Sequence, residues 1–321
     1  MTVGTLAVLI NSTQQNWLPE RWKARFDAVS GGRRVALLPD PRLDPAEVHY
    51  AAVWKPVPGD LGSFPNLRAI FNLGAGVDAL MADKSLPNVP LVRVAVPDLT
   101  GRMTEYVVQH VLMHHRQELY LRQSQREKRW EPTYQWPASA VTVGIMGLGT
   151  LGTDAADVLR RLGFRVAGWS RSPRTIAGVE CFHGAAQIDA FLRTTDILVS
   201  LLPLTPDTHG ILNRDVFTKL NRKSPLGAPV LINAGRGGLQ NEADILSCLD
   251  DGTLGAASLD VFVQEPQPAD SRFWTHPKVL LTPHNAADTD ADAISTYVAQ
   301  QIAQFEAGGV LENVVDRTRG Y

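Results

Sequence analysis

Three side chains in the second half of this 321-residue chain have types and places suited to chemistry at a carbonyl group. Arg236 stands in Asn233-Ala234-Gly235-Arg236-Gly237, just past the apolar run 229–233. Glu265 closes Leu259-Asp260-Val261-Phe262-Val263-Gln264-Glu265-Pro266, just past the run 256–260. His284 follows Leu280-Leu281-Thr282-Pro283, after the run 279–281. If these runs are strands, each side chain lies near a strand's carboxyl end, where ligands bind in parallel α/β sheets. A guanidinium holds a carboxylate by charge-assisted, often paired bonds, and a histidine can give a proton to a carbonyl oxygen. The set could therefore anchor a 2-oxo acid and protonate its carbonyl. Taken singly, Arg236 or Glu265 could be a surface ion-pair residue and His284 a satisfied loop histidine. Their joint placement carries the reading.

A phosphate-binding turn precedes them. Residues 141–146 read as a buried strand, Gly147-Leu148-Gly149-Thr150-Leu151-Gly152 follows, and a helix over about 151–162 is closed by Gly163. A lone GxGxxG is weak; between a strand and a helix it has the context that gives it meaning. Gly147 permits the tight turn, Gly149 lets the backbone approach a pyrophosphate, and Gly152 allows close helix–strand packing. The helix N-terminus offers free N–H groups and the positive end of its dipole. The alternative is a merely structural turn. An NAD-binding unit ends its next strand on an Asp or Glu for the adenosine ribose. Here the strand 164–169 runs into Trp169-Ser170-Arg171-Ser172-Pro173-Arg174. Two guanidinium groups and two hydroxyls suit a 2′-phosphate, so NADP(H) is expected, against the alternative of a basic surface turn.

The elements that must position these groups alternate strand and helix. Strand-like runs at 5–10, 34–38, 50–54 and 67–71 are interleaved with a helical stretch at 17–29 and Gly/Pro breaks. Such alternation predicts parallel sheets covered on both faces. Residues 104–128 hold no Gly or Pro and predict one long helix with a charged end, and the aromatic segment 130–137 reads as a linker. Further strands are expected at 197–202, 229–233, 256–260 and 279–281, with helices at 242–251 and 291–306. His110 and His114 share a helix face but lack the HExxH pattern and a third ligand, so packing is expected and no metal.

Composition narrows the class. Thirty-one basic residues against thirty-three acidic ones leave a formal charge of −2, which disfavours a general nucleic-acid binder. The two cysteines, Cys181 and Cys248, fit no disulfide or zinc spacing. No apolar run approaches the ~18–20 residues that span a bilayer. A cytoplasmic globular protein of two domains, without membrane contact, is expected.

The order GLGTLG, NAGRG, DVFVQEP and TPHNAA resembles the D-isomer-specific 2-hydroxyacid dehydrogenases. Val53-Trp54-Lys55-Pro56, Leu73-Gly74-Ala75-Gly76-Val77-Asp78, Trp169-Ser170-Arg171 and the closing Val315-Asp316-Arg317-Thr318-Arg319-Gly320-Tyr321 are similar to its glyoxylate/hydroxypyruvate reductase branch. The resemblance covers essentially the whole chain. It implies two doubly wound, Rossmann-like parallel-sheet domains: a substrate domain of 1–102 plus 286–321, and a dinucleotide domain of 103–285 inserted into it. It implies NADPH-dependent reduction of small 2-oxo acids by a homodimer, with the long helix near 104–125 helping to join the two domains. Arg236 would bind and polarise the substrate, His284 would donate the proton, and Glu265 would keep His284 protonated. Leu73, Gly74, Ala75 and Gly76 would receive the carboxylate on backbone N–H groups, and Trp54 would wall the pocket. Gly147 to Gly152, Ser170, Arg171, Arg174, Leu202, Pro203, Asn233, Ala234, Gly235 and Asp260 would hold the cofactor.

Two departures stand out. Many members follow the Arg loop with a Val and an Asp, where this chain has Gly237-Gly238-Leu239-Gln240-Asn241-Glu242. Lys55 stands beside Trp54 where a neutral residue or His is expected, which bears on substrate charge preference. Two other readings stay open: a non-catalytic, dinucleotide-sensing or corepressor-type module of the same architecture, and an NAD-dependent dehydrogenase for a bulkier substrate.

Overall fold

The computed structural model describes residues 4–12, 15–288 and 290–320, and the chain divides into two compact units, 1–99 with 289–321, and 100–288. In the first unit, β1 (Thr5–Ile10), α1 (Pro19–Val29), β2 (Val35–Leu37), β3 (Val48–Trp54), β4 (Ala69–Asn72), α2 (Asp78–Ala82) and β5 (Leu91–Arg93) follow one another. All strand pairs are parallel, in the order β2-β1-β3-β4-β5. The order reverses between β1 and β3, so their carboxyl ends flank a topological switch point, the place where such sheets take ligands.

The second unit is reached through α3 (Pro97–His115) and α4 (Glu118–Arg126). The sequence predicts one helix here, and the structure has two. Gln117 takes a left-handed φ of 57° between them. Its side-chain amide donates to the Tyr134 carbonyl at 2.8 Å and accepts from the Thr133 hydroxyl at 2.7 Å, which holds the break without glycine. Then come β6 (Thr142–Met146), α5 (Thr150–Arg161), β7 (Arg165–Ser170), β8 (Glu180–His183), α6 (Gly184–Thr194), β9 (Ile197–Ser200), α7 (Arg214–Lys219), β10 (Val230–Asn233), α8 (Glu242–Asp250), β11 (Ala256–Leu259) and β12 (Val279–Leu281). The sheet is parallel throughout, ordered β12-β11-β10-β9-β6-β7-β8, with its switch point between β6 and β9.

Both faces of this sheet are covered, and strand alternation sorts the side chains between them. Val143, Ile145, Val199 and Ile232 pack with Val107 and Val111 of α3 and Ala155 and Leu159 of α5. Met146, Leu198, Leu231 and Leu259 pack with Phe191 of α6, Phe217 of α7 and Leu249 of α8. The closing helix α9 (Ala291–Glu306) returns to the first unit and packs along α1. There it buries Ile294, Val298 and Ile302 at helical spacing.

His110 and His114 are packing residues. His110 Nδ1 and His114 Nε2 each lie 2.7 Å from the hydroxyl oxygen of Ser258, a fully buried residue of β11. One hydroxyl can donate to one ring and accept from the other, so one nitrogen of each neutral ring is satisfied. Burial pushes His110 down to about 4 and His114 to about 3, His110 adding to the shift of His114. An unfolded histidine takes up its proton near 6.5 and these folded ones do so only near 3–4, so stability falls as pH drops from about 6.5 towards 4. His114→Gln should cut the slope of unfolding free energy near pH 5 by about one proton, or about 1.4 kcal/mol per pH unit. Reversible urea unfolding across that range measures it, and an unchanged slope would show that the ring is hydrated in the fold.

Candidate active site

The glycine turn begins where β6 ends. Gly147 has a φ of 108°, and a Cβ there would lie 2.8 Å from the Leu201 carbonyl oxygen. A Cβ on Gly152 would lie 2.0 Å from the Gly147 carbonyl oxygen, so α5 approaches the turn as closely as glycine alone permits. Around Gly149, the N-cap of α5, a Cβ would meet nothing within 4 Å. No side chain caps α5, so the first-turn N–H groups of Thr150, Leu151 and Gly152 face that open cradle with the positive end of the helix dipole. Leu148 differs from its neighbours: its side chain packs under Gly168 in the core.

At the end of β7, Ser170 donates its hydroxyl to the Ser172 carbonyl at 2.8 Å, and Arg171 and Arg174 are exposed. No carboxylate stands at this strand end. Leu202 and Pro203 leave β9 beside the turn. The Leu202 carbonyl oxygen would lie 2.9 Å from a Cβ on Gly235, so the strand ends of β6, β9 and β10 meet through close backbone contact.

Past β10 the buried amide of Asn233 shapes the Arg loop. Its Oδ1 accepts from the Gly235 N–H at 3.1 Å, and its Nδ2 donates to the Arg236 carbonyl at 3.2 Å and to Gln240 Oε1 at 2.8 Å. Ala234 is buried beside it, and half-buried Arg236 donates from Nη1 to the Gly235 carbonyl at 2.7 Å. The departures in this loop now have a physical content. Asn241 does the work of an Asp, capping α8 by accepting from the Asp244 N–H at 3.2 Å.

His284 and Glu265 meet: Nδ1 lies 2.7 Å from Glu265 Oε2, with the two side chains 40% and 28% exposed. The other carboxylate oxygen, Oε1, accepts from the Phe262 N–H at 3.1 Å. His284 has a left-handed φ of 52°, and its N–H donates to the Asp260 carbonyl at 2.8 Å. Asp260 is 1% exposed, and its carboxylate accepts from the Thr282 hydroxyl at 2.7 Å, the Asn285 N–H at 3.0 Å and the Ala286 N–H at 3.1 Å. The Tyr106 hydroxyl of α3 joins the same cluster, 3.0 Å from that of Thr282. Asp260 thus anchors the loop that carries the histidine, a task sequence position alone does not show. Among the described residues no group of His, Cys, Asp and Glu could hold a metal ion.

Trp54 and residues 73–76 belong to the first unit and form a cluster of their own. Trp54 ends β3, stacked on Trp17 at 4.0 Å, and a Cβ on Gly74 would lie 2.2 Å from its ring. Lys55 has a left-handed φ of 50° and holds its ammonium 5.7 Å from the centre of that ring. Asn72, at the end of β4, donates to the carbonyls of Gly74 at 2.7 Å and Gly76 at 2.8 Å. In a trans peptide the N–H points opposite its carbonyl, so the N–H groups of Ala75 and Val77 turn away from Asn72. Asn72 was not singled out by the sequence; the signal was a polar amide ending an apolar strand before a glycine loop.

Residues 108–286 match the family profile of D-isomer specific 2-hydroxyacid dehydrogenase, NAD binding domain. A glyoxylate/hydroxypyruvate reductase A from Yersinia enterocolitica is 40% identical over 286 residues, covering 87% of this chain and 90% of that protein. Another from Serratia proteamaculans is 41% identical over 284 residues, 87% and 89% of the two chains. Among solved structures, an NADPH-dependent glyoxylate/hydroxypyruvate reductase from Sinorhizobium meliloti, in complex with NADP and sulfate, superposes with a TM-score of 0.93. It is 48% identical and covers 99% of this chain and 100% of that one. With relatives this similar along nearly its full length, the chain belongs to the D-isomer-specific 2-hydroxyacid dehydrogenases.

Proposed function

We propose that this chain is an NADPH-dependent reductase of small 2-oxo acids, glyoxylate and hydroxypyruvate first among them. The observation that carries the reading is the 2.7 Å pair of His284 and Glu265 beside the Arg236 loop, in a chain whose relatives are named as reductases of these acids. The terminal unit takes the substrate and the inserted unit the cofactor. The open cradle at Gly149 and the α5 N-terminus receive the pyrophosphate, and Ser170, Arg171 and Arg174 the 2′-phosphate. Leu202, Pro203, Asn233, Ala234, Gly235 and Asp260 line the rest of the cofactor's path. NADPH, when bound, supplies the hydride.

The protein's own residues hold the acid and move the proton. Arg236 and the backbone N–H groups of the 73–76 loop bind the carboxylate, with Trp54 as a wall, and Arg236 polarises the carbonyl. Glu265 occupies Nδ1 of His284, which leaves Nε2 as the proton-giving atom. Nε2 delivers its proton to the carbonyl oxygen as charge develops there, and Glu265 favours the imidazolium that does so. Two copies pair through α3, α4 and the segment up to Pro137. In that segment Trp130 is 99% and Tyr134 68% exposed, the kind of aromatic surface a partner covers. The cytoplasm is the expected compartment; Cys181 and Cys248 are unbridged, and no helix among the described residues is long and apolar enough to cross a membrane.

The direct test is nicotinamide absorbance, followed with purified protein and a panel of 2-oxo acids. NADPH should outperform NADH, and Arg171→Ala should narrow the gap by about tenfold to a hundredfold, as one lost charge-assisted phosphate bond requires. Equal efficiency with both cofactors in the parent would sink the 2′-phosphate assignment, and no turnover with any acid would favour a sensing role.

The proton donor has its own signature. Reduction needs the imidazolium, so its rate should fall with rising pH, and oxidation of the hydroxy acid should show the opposite limb. Glu265→Gln removes the carboxylate that holds Nδ1 and should lower the rate of reduction. His284→Ala should remove the limb and about 10²–10⁴-fold of the rate. Superimposable profiles for the parent and Glu265→Gln would withdraw Glu265 from this role.

A further inference from the structure

The Arg236 loop and the Glu265–His284 pair are joined through one peptide group. Gln240 is 4% exposed. Its Oε1 accepts from Asn233 Nδ2 at 2.8 Å, and that same amide donates to the Arg236 carbonyl. Its Nε2 donates to the Val261 carbonyl at 3.0 Å. The N–H on the other side of that Val261–Phe262 peptide donates to Glu265 Oε1 at 3.1 Å, and Glu265 Oε2 meets His284 Nδ1. A planar trans peptide points its C=O and N–H in opposite directions, so fixing the carbonyl fixes the N–H.

Two further contacts show that the loops are built to meet here. A Cβ on Gly237 would lie 1.9 Å from the Phe262 carbonyl oxygen, so the two backbones touch where only glycine fits. Glu242 Oε1 accepts from the Val263 N–H at 2.8 Å, which holds the next peptide along. The backbone of Gln240 is itself held from behind: the Leu212 N–H donates to the Leu239 carbonyl at 2.8 Å and the Asn241 N–H to the Leu212 carbonyl at 2.9 Å.

We propose that Gln240 is a positioning residue that sets the Val261–Phe262 peptide plane, aims the Glu265 carboxylate at His284, and couples that aim to the Arg236 loop. The proposal rests on the reading of Glu265 and His284 as the proton-delivering pair. A mobile peptide would leave Glu265 Oε1 without a fixed donor and let the carboxylate swing away from Nδ1. The imidazolium would then lose part of its partner's charge while phosphate contacts at the glycine turn stayed intact.

Gln240 Nε2 also reaches Glu242 Oε1 at 3.4 Å, and the test compares the parent with Gln240→Met, which keeps the volume but none of these hydrogen bonds. Gln240→Asn, which keeps the amide on a side chain one methylene too short to span Asn233 and Val261, guards against a packing artefact. Both should lower kcat for reduction about tenfold, the scale of one lost buried hydrogen bond, with NADPH affinity nearly unchanged. In a Glu265→Gln background the same substitutions should cost little more, because both act on one element, whereas a general structural role would give the full loss again. The downfield proton NMR signal of the His284 Nδ1–H, which marks its hydrogen bond to Glu265, reads the aim without turnover and should weaken or move upfield in Gln240→Met. That change in a protein whose parent reduces no 2-oxo acid would uphold the positioning and overturn only the proposed reaction. An unchanged signal, or equal losses in the two backgrounds, would overturn the role of Gln240.

Discussion

A carboxylate that is buried must find donors or cost several kcal/mol, and the way Asp260 finds them organises this half of the molecule. At the carboxyl end of β11 its oxygens take the Thr282 hydroxyl and the N–H groups of Asn285 and Ala286. All three belong to the short segment after β12, so that segment is drawn down onto the end of the neighbouring strand. His284, in the middle, is held with a φ of 52°, and its own N–H is spent on the Asp260 carbonyl. A left-handed histidine persists only where its surroundings over-determine it. Here the surroundings are Asp260, and the direction of the imidazole follows.

The support runs on behind the sheet. Ser258 and Asp260 are two apart on one strand and so face the same side, towards α3. On α3, Tyr106, His110 and His114 follow at helical spacing. His110 and His114 meet Ser258, and Tyr106 meets Thr282 and through it Asp260. A polar row on the helix thus matches a polar row on the strand within an otherwise apolar layer. Burial raises the Tyr106 hydroxyl and lowers both histidines, so the row stays neutral against the Asp260 charge over the physiological range. Neutral donors can hold that carboxylate without competing charges of their own.

These pairings also mark the limit of what could be read from residues in order. The glycine turn was legible because its flanks carry two different periods, a continuous apolar run and then a helical face, and the strand ends bearing Arg236, Glu265 and His284 followed from the same alternation. β8 was missed: Glu180–His183 is a partly exposed edge strand with no apolar run to announce it. The α3–α4 break was missed because Gln117 is held by a segment sixteen residues on and carries no glycine or proline. Ser258 lies 148 residues from His110, so the sequence favours packing for the histidine pair without naming the partner that topology supplies. Gln240 read as a departure from a family pattern; only the close approach of two loops shows what its amide holds.

The supports and the pair proposed to deliver the proton differ in one physical respect. Asn233, Gln240 and Asp260 are buried, with partners already fixed, while Glu265 and His284 keep part of their side chains in water. A buried, satisfied amide or carboxylate loses little further freedom when a ligand arrives, so the geometry it imposes is in place beforehand. In the proposed reaction the exposed ends are screened by solvent until a substrate displaces it, and their interaction with the reacting oxygen then strengthens as the local dielectric falls. Charges held in place before binding and desolvated by it stabilise a developing alkoxide more than the neutral carbonyl it comes from. That difference, rather than tight binding of the 2-oxo acid itself, is what can accelerate the reduction.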